Sequence, residues 1–549
     1  MPIRFAPLFA VLAVTAGLVS SQAVAQYGPV PAQLPPGGVQ LSSDNLSPSD
    51  AYALPEASDT FGLVTPQTYF SPSLTAQVTG TTNSTFGAGR KEKDVIFDLV
   101  PRVVLYSDHS HVRIKGDFSL DGEFYALGTL NNRILPRGSL ELNSELIDRL
   151  LYFDAGAQSQ QNVANPYAGK LQSATGQNQF TTTQYRVSPY IDRRITPTLR
   201  FYARSDNTWT QVSGNNTTAG IFGGRYGVQT IRIEQQPLPV GFALLGEYTD
   251  SKFNNLPNSS LTDASIRAVG NYQVTRKLLL GLIGGYEKVD VFLASIKRPI
   301  WGGRFLWQNG DSARIDAIVE DRYFGTGWNV QAFKRTGIVT LLANSNRQPT
   351  TFLSSQFGGA ATGVSIGSLL DGALAAQFPN PVARTAAVQN LLASSGLPST
   401  LSGANNLYTE GANLETDANI TALLLRERNS YAISIYHNKI EDLFLPGQQL
   451  LKLTQTVSNN STQTGVALTF ARRLSQITRL SIQGTAARAV GFGLSEGQRA
   501  TQYGLLAQID HQLSQRTRMT AGFLQQFLKS TSVSGANESA LFVALTYTF

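Results

Sequence analysis

The sequence predicts an all-β protein, a transmembrane antiparallel up-and-down β-barrel of about 22 strands, within a range of about 18 to 24. Three features predict it: alternating apolar and polar residues, tight turns that alternate with long polar loops, and an aromatic closing strand. Only 15% of the 549 residues are charged, fewer than in most soluble chains. After the N-terminal segment no apolar run reaches about 18 residues, the length that a membrane helix needs.

The alternation is clearest in residues 112–125. Apolar or small residues fill the even positions from Val112 to Phe124, and polar or charged residues fill the odd positions. Successive side chains on a strand point to opposite faces, so one face of this strand is apolar and the other is ionic. The same period returns at residues 199–204, 264–273, 313–320 and 502–510.

Tight turns alternate with long polar stretches along the chain. Short periplasmic turns and longer extracellular loops are typical of outer-membrane barrels. Ten tight turns, each joining two strands, and one further strand at each end give the predicted strand number. The turns are predicted near residues 108–111, 146–149, 195–198, 237–239, 275–277, 309–311, 334–337, 427–429, 474–477 and 513–516, and examples of the longer stretches are 162–180, 211–222, 253–261 and 527–537.

The last segment has the character of a barrel-closing strand. Leu541, Val543, Leu545, Tyr547 and Phe549 share one face. An aromatic residue two positions before a terminal Phe resembles the outer-membrane assembly signal, so Tyr547 and Phe549 are the predicted contact with the barrel-assembly machinery. The alternative is an edge strand of a soluble β protein, where such an apolar edge would favour aggregation.

The N-terminal residues predict export. Residues 1–25 have one charge, an apolar stretch and Ala23-Val24-Ala25 before Gln26, which is the pattern of a cleaved secretory signal peptide. Residues 26–67 are rich in Pro, Gly and Ser and predict a flexible periplasmic segment. Residues 68–549 are then the barrel, located in the outer membrane of a Gram-negative bacterium after cleavage near Ala25, with membrane lipid as its surroundings.

One segment, residues 346–413, departs from the strand period. It is rich in Ala and Leu, and residues 365–378 and 381–394 predict two short helices, the second with Asn380 as N-cap and Pro381 at the first helical position. The turn pattern places this helical insert in a long loop on the extracellular side. It covers the mouth, folds into the lumen as a constriction, or decorates the surface.

No set of residues predicts catalysis, a cofactor or a metal site. Zero cysteine excludes thiol chemistry and cysteine-ligated metals. His109 and His111 fall in a predicted turn without clustered carboxylates. Ser434 and His437 have opposite parity on a strand and therefore face different sides, which argues against a lipase-type pair. The net charge of +7 includes no basic block, so no nucleic-acid partner is expected.

The inward faces of the better-defined strands carry the candidate functional residues. Their basic and acidic members are nearly balanced, which does not favour strong ion selectivity. Opposite charges on neighbouring strands can instead cross-link the wall. The inward tyrosines Tyr152, Tyr190 and Tyr202 lie among Arg, Gln and Asn and also suit sugar hydroxyls. The alternative is that these residues only solvate a water-filled lumen. The lumen-facing candidates are Arg113, Lys115, Asp117, Asp121, Glu123, Arg186, Asp192, Arg200, Tyr202, Arg204, Arg232, Arg267, Arg304, Arg314 and Asp316.

Several short motifs resemble one family of barrels. They are Leu140-Glu141-Leu142, Glu145-Leu146, Val187-Ser188-Pro189-Tyr190, Pro379-Asn380-Pro381 with Arg384, Val388 and Leu391, Leu397-Pro398, and Arg428-Asn429-Ser430. In this order they resemble the outer-membrane β-barrel family associated with PEP-CTERM/exosortase systems, whose members are porin-like proteins encoded beside exopolysaccharide genes. The resemblance implies a role in polysaccharide or protein export and supplies no binding residues.

These observations predict a non-enzymatic pore or export conduit whose partners are polysaccharide or export components. The alternative is a structural or docking protein that binds export components without conducting. An energy-coupled receptor is disfavoured, because it needs an N-terminal plug of well over a hundred residues and only about 45 residues of the exported chain precede the first predicted strand.

Overall fold

The segments with alternating apolar and polar residues form long strands, and each strand pairs with the strands before and after it in the chain. The computed structural model describes residues 67–86, 91–168, 178–214, 221–254, 261–291, 294–310, 312–357, 411–443, 460–532 and 535–549, with short pieces between 363 and 409. The predicted signal peptide, residues 1–25, and nearly all of the predicted Pro-rich segment, 26–67, lie outside the described residues. The strands are β1 (Gln67–Thr81), β2 (Asp94–Asp108), β3 (Val112–Tyr125), β4 (Arg133–Ile147), β5 (Leu151–Val163), β6 (Gln179–Arg194), β7 (Leu199–Ser213), β8 (Gly224–Gln235), β9 (Val240–Phe253), β10 (Leu261–Thr275), β11 (Leu278–Val291), β12 (Ala294–Asn309), β13 (Ala313–Arg322), β14 (Gly325–Thr336), β15 (Val339–Thr350), β16 (Gly363–Ser365), β17 (Thr400–Ser402), β18 (Asn413–Leu425), β19 (Asn429–Asp442), β20 (Ser461–Arg473), β21 (Thr478–Gly491), β22 (Arg499–Gln512), β23 (Thr517–Ser530) and β24 (Ala536–Thr548).

Twenty-two of these strands form one closed antiparallel sheet, as the sequence predicts. β1 closes it by pairing with β2 on one side and with β24 on the other, where Ser73 lies opposite Thr548. The remaining two strands, β16 and β17, pair with each other inside the insert. Closure leaves no free sheet edge, so the backbone N–H and C=O groups of the first and last strands are hydrogen-bonded. This is the condition for an all-β chain to cross lipid.

All ten predicted tight turns are present at one end of the barrel, and each joins two strands by two to four residues. Gly310 and Gly337 have φ of 56° and 55°, a region that favours glycine and that their turns require. At the opposite end most connections are longer, but β11–β12 and β13–β14 are joined by only two residues each. Since short turns face the periplasm in such barrels, the longer loops are assigned to the outside.

The outer surface of the sheet is apolar. Leu282 on β11 is 79% exposed, and on β24 Leu541, Val543, Leu545 and Tyr547 all point outward. Large apolar side chains exposed around a whole barrel match a lipid-facing band rather than a water-facing surface. Tyr547 and Phe549 lie at the turn end of β24, with their ring centroids 5.0 Å apart in an edge-to-face arrangement.

The insert is shorter than the sequence predicts. It begins after residue 350 rather than at 346, and it ends at 412 rather than at 413. Residues 346–350 belong to β15, where Thr350 pairs with Asn413 of β18. The outward residues Ser345 and Arg347 are polar, as are the inward residues Asn346 and Gln348, so the alternation that marks the other strands is absent at this strand end. The connection therefore spans residues 351–412.

Within that connection the described elements are α1 (Phe352–Phe357) and the β16–β17 pair. Ser365, predicted to start a helix, belongs to β16, where it pairs with Thr400 and extends the chain instead. Most of the two predicted helices, residues 365–378 and 381–394, lies outside the described residues. None of the helices in the described part of the chain is long and apolar enough to cross a membrane.

A charge on the outer face tests whether lipid is the solvent there. We expect Leu282→Arg to lower the free energy of unfolding by about 2–4 kcal/mol in lipid vesicles, because an Arg near the bilayer centre loses its hydration. Leu238→Arg is the matched control, since Leu238 is 76% exposed but lies in the β8–β9 turn, outside the hydrocarbon. Equal losses from the two substitutions, measured by denaturant titration, would contradict a lipid-facing surface.

Candidate functional site

The inner face of the barrel gathers the predicted site residues. All fifteen lumen-facing candidates lie at inward positions of β3, β6, β7, β8, β10, β12 and β13, and all are buried or half-buried. The Arg314 side chain is 36% accessible, whereas that of Arg304 on the neighbouring strand is fully buried. The inner face is therefore polar where the outer face is apolar.

On β2, β3 and β4 the charges cross-link neighbouring strands. Arg102 Nε donates to Asp117 Oδ1 at 2.6 Å, and its second nitrogen also contacts this carboxylate. Arg133 Nε donates to Glu123 Oε2 at 2.9 Å. The hydroxyl of Tyr125 donates to the same oxygen at 2.8 Å and accepts from Arg133 at 2.9 Å. Charges paired in this way stiffen the wall and add little net field to the lumen.

The next group lies on β5, β6 and β7. Arg204 contacts two carboxylates, Asp154 Oδ2 at 3.0 Å and Asp206 at 2.9 Å, and its guanidinium lies 4.8 Å from the ring centroid of Tyr190. Tyr190 also stacks on Tyr152, with ring centroids 5.0 Å apart. One strand further, Tyr202 is 6.1 Å from Tyr190. The three predicted inward tyrosines thus pack on one another instead of presenting open faces to a ligand.

A third group lies on β10–β13. Arg322 binds Glu287 Oε2 through Nε at 2.8 Å and Asp263 Oδ2 at 2.8 Å, and the Tyr323 backbone N–H donates to Glu287 Oε1 at 2.7 Å. Closer to the turn end of β13, Asp316 Oδ2 lies 3.1 Å from an Arg304 nitrogen and 3.0 Å from an Arg314 nitrogen. The Glu287 carboxylate is fully buried, so Arg322 compensates a charge that water does not reach.

Several members of these groups were not predicted from the sequence. Those that form ion pairs are Arg102, Arg133, Arg137, Asp154, Asp263, Glu287 and Arg322. Asp263 and Arg322 lie just outside the alternating segments 264–273 and 313–320, and the others lie on strands that were not among the alternating segments. A search for charges spaced by two or four residues within each predicted strand would have found Arg133 and Arg137.

The other half of the wall has a different chemistry. At mid-height on β14–β24 the inward side chains are mainly amides and hydroxyls. Examples are Asn344, Asn419, Thr421, Ser434, Gln483, Thr485, Gln502 and Gln526. Thr421 donates to Ser434 at 3.0 Å across β18 and β19. The candidates taken from charge alone all lie in the opposite sector, so this polar, mostly uncharged sector was not singled out.

The insert lies inside the barrel. It leaves the wall at the long-loop end, yet its residues Ile366, Leu370, Val388, Leu397 and Leu401 pack against inward residues near the turn end. The wall residues of this cluster are Leu423, Ala432, Ala467 and Ala471. Leu423 is ten positions below the Asn413–Thr350 pair, about 30 Å along the strand at the usual rise. Of the three predicted placements, the described residues show a segment folded into the lumen.

The insert also contacts the opposite wall at the long-loop end. Phe352, Leu353 and Tyr408 pack with Phe180, Tyr226 and Phe253, which lie on β6, β8 and β9. The Phe222 backbone N–H donates to the Tyr408 hydroxyl at 3.0 Å. The segment therefore crosses the lumen from the upper part of β6–β9 to the lower part of β18–β20.

A second loop crosses the mouth. Tyr167, from the β5–β6 connection, packs with Ala489, Ala500, Leu528 and Ala536 on β21–β24. Its hydroxyl donates to the Asn460 carbonyl at 3.2 Å, and its carbonyl accepts from Ser530 Oγ at 2.7 Å. Two segments of the chain therefore occupy the outer part of the lumen.

Two histidine sites were considered in the sequence. Ser434 points inward and is 1% exposed, and His437 points outward, so the predicted opposite parity is confirmed. At the turn end, His111 Nδ1 lies 3.8 Å from Glu145 and 3.7 Å from Asp148, so the expectation that no carboxylates cluster beside this histidine is wrong: Glu145 and Asp148 lie at the adjacent turn. The Asp148 side chain is 83% exposed, and this group joins two adjacent turns at the surface.

Comparison with known proteins gives only distant likeness. No protein-family model matches the chain, and no curated protein matches it. The FrpB iron transporter of Neisseria meningitidis in its apoprotein form is 8% identical, with a TM-score of 0.47, over 87% of this chain and 81% of that chain. The siderophore receptor PirA of Acinetobacter baumannii is 10% identical, with a TM-score of 0.43, over 87% and 80%. OccK2 (OpdF) of Pseudomonas aeruginosa, solved with glucuronate, is 10% identical, with a TM-score of 0.33, over 87% and 98%.

These likenesses are too weak to transfer a function. The closed antiparallel sheet and its apolar outer face nevertheless make the chain an outer-membrane-type β-barrel on its own evidence.

Removing one partner of a buried pair tests the ionic wall. We expect Arg322→Gln to lower the free energy of unfolding by about 3–5 kcal/mol, because Glu287 is left buried without its cation. Arg298→Gln is the control: Arg298 pairs with Asp321 at 3.2 Å but is 43% exposed, so its loss should cost about 0–1 kcal/mol. Equal stability of the two variants in denaturant titrations would show that the inner ion pairs do not hold the wall.

Proposed function

We propose that the chain is a non-enzymatic outer-membrane pore or export conduit that its own insert closes. One observation carries the proposal: a polar inner wall encloses a segment whose described contacts at the turn end are apolar. Leu397 and Leu401 meet the small side chains of Ala432, Ala467 and Ala471. Apolar contacts need no specific hydrogen-bond geometry. The insert can therefore leave this part of the wall without leaving a buried charge unpaired.

The finer part of the proposal is a link to exopolysaccharide and envelope export. The polar, mostly uncharged sector on β14–β24 supports it, because amide and hydroxyl groups exchange hydrogen bonds with sugar hydroxyls while leaving no strong field in the path. The resemblance to barrels of PEP-CTERM/exosortase systems supports it independently. Polysaccharide or export components are then the partners in the lumen or at its ends.

Deleting the insert tests the pore. Thr350 and Asn413 are cross-strand partners, so an Asn-Gly turn can join β15 directly to β18 in place of residues 351–412. We expect conductance in planar bilayers to rise on the order of tenfold or more over the full chain, because the lumen loses its filling. Leu401→Asp, which places a charge in the apolar cluster, should give an intermediate rise.

A matched deletion of residues 444–459, from another long connection at the same end, should leave conductance unchanged. If the variant without the insert folds but does not conduct, the proposal of a pore is wrong. Such a result would favour the alternative of a docking protein, which the two segments lying in the lumen and across the mouth also support. Co-purification with export components from intact envelopes would then identify its partners.

The export link has its own test in the bacterium that makes the protein. We expect loss of the gene to lower secreted polysaccharide and to raise polysaccharide in the periplasm, since synthesis continues while the outer-membrane step is missing. Reintroducing the full chain should restore secretion. Normal secretion in the deletion strain would show that the barrel serves another solute.

A further inference from the structure

Four basic side chains form a patch on the outer face at the long-loop end of β8–β12. Arg225, Lys252, Lys288 and Lys297 are all exposed and all point away from the lumen, because each pairs with an outward residue of the next strand. These four residues form the rim patch. None of the four belongs to the lumen-facing sets described above.

The rim patch is built from two like-charge pairs. Arg225 lies directly opposite Lys252 on β8 and β9, and Lys288 lies directly opposite Lys297 on β11 and β12. Opposed side chains of an antiparallel pair have Cβ atoms about 4.5–5.5 Å apart, so like charges there are destabilising unless an anion lies between them.

Carboxylates offset only part of this charge. Asp250 Oδ2 is 3.2 Å from Lys252 Nζ, and Asp290 Oδ2 is 3.2 Å from Lys288 Nζ. Each group of two cations and one carboxylate therefore keeps one net positive charge. Lys252 and Lys288 remain 64% and 50% exposed, so both can accept a further anionic partner.

Aromatic neighbours indicate where the rim patch lies relative to the membrane surface. Tyr248, Tyr286 and Trp301 are outward and exposed on β9, β11 and β12, one or two outward positions closer to the barrel centre than the basic residues. Trp209 lies directly opposite Arg225. Aromatic side chains at strand ends mark the membrane–water interface, so the cations just beyond them lie at the level of the lipid head groups.

Among the described residues, outward cations that directly oppose each other lie only on this side of the barrel. Arg488, Arg499 and Lys529 are also exposed and outward at the same end of β21–β23, but their cross-strand partners include no other cation. On β5 and β7, the outward residues near the same end include Gln161 and Gln211, which carry no charge. A general requirement for solubility would not place cations directly opposite each other in two strand pairs, β8–β9 and β11–β12.

We propose that the rim patch binds the phosphorylated head groups of outer-leaflet glycolipid. A phosphate placed between two opposed cations relieves their repulsion and gains charge-assisted hydrogen bonds from both. The acyl chains of the same lipid then lie on the apolar band below, beside Tyr248 and Tyr286. The proposal depends on the outer-membrane location and is independent of whether the barrel conducts.

The test compares two fourfold variants of the full chain in detergent. In the patch variant Arg225, Lys252, Lys288 and Lys297 are changed to Gln. In the control variant four exposed basic residues of the opposite end, Arg193, Lys277, Lys334 and Arg472, are changed to Gln, which removes the same total charge. Heat-dependent migration in gels verifies that both variants keep the folded barrel.

Binding of lipid A is measured by native mass spectrometry, with dephosphorylated lipid A and inorganic phosphate as the other probes. We expect lipid A to bind the patch variant roughly 10- to 100-fold more weakly than the full chain. The control variant should bind like the full chain, and dephosphorylated lipid A should bind weakly to all three.

Three results would overturn the proposal. Equal weakening of lipid A binding in both variants would show an effect of total charge. Undiminished binding of dephosphorylated lipid A would show that the protein does not recognise the phosphate groups. Displacement of lipid A by millimolar inorganic phosphate would show a site for free phosphate rather than for the glycolipid head group.

Discussion

Hydrogen bonding of the backbone is the constraint on which the other features depend. Hydrocarbon offers no partner for an N–H or C=O group, so a sheet that crosses it must have no free edge. Here the first and last strands meet, with β1 paired to β24 from Ser73 to Thr81. Once the sheet is closed, its two faces are fixed by residue parity, and every second side chain meets lipid while the others meet the lumen.

Closure also explains the unusual interior. The side chains of a closed wall face each other across a limited space, and charges there need partners from the same wall. Arg102, Arg204 and Arg322 each reach carboxylates on another strand, so the ion pairs act as ties between strands. The opposite sector uses amides and hydroxyls, and the insert packs on its alanines. The two sectors of the wall therefore differ: one is tied by ion pairs between strands, and the other contacts the insert through apolar side chains.

The sequence predicts the barrel well because strand alternation and short turns are local signals. The ten turns were found at short breaks between alternating segments, and strand parity oriented residues such as Arg113 and Ser434 correctly. The path of the insert was not predictable, since Leu397 and Leu401 show no sign in the sequence that Ala432 and Ala467 are their partners. β15 was ended too early because the outward residues at its end, Ser345 and Arg347, are as polar as the inward ones. Arg322 was missed because it lies just beyond the alternating segment 313–320.

The central claim is that odd and even residues of one strand meet different solvents. Since the chain has no cysteine, single cysteines can be introduced along β22 from Gln502 to Ile509 and labelled in reconstituted vesicles. The account predicts that Gln502, Gly504 and Gln508 positions react with a water-soluble maleimide, whereas Tyr503, Leu505 and Ile509 positions are protected and contact lipid-soluble quenchers. Uniform reactivity along the strand, or a repeat near 3.6 residues, would contradict it.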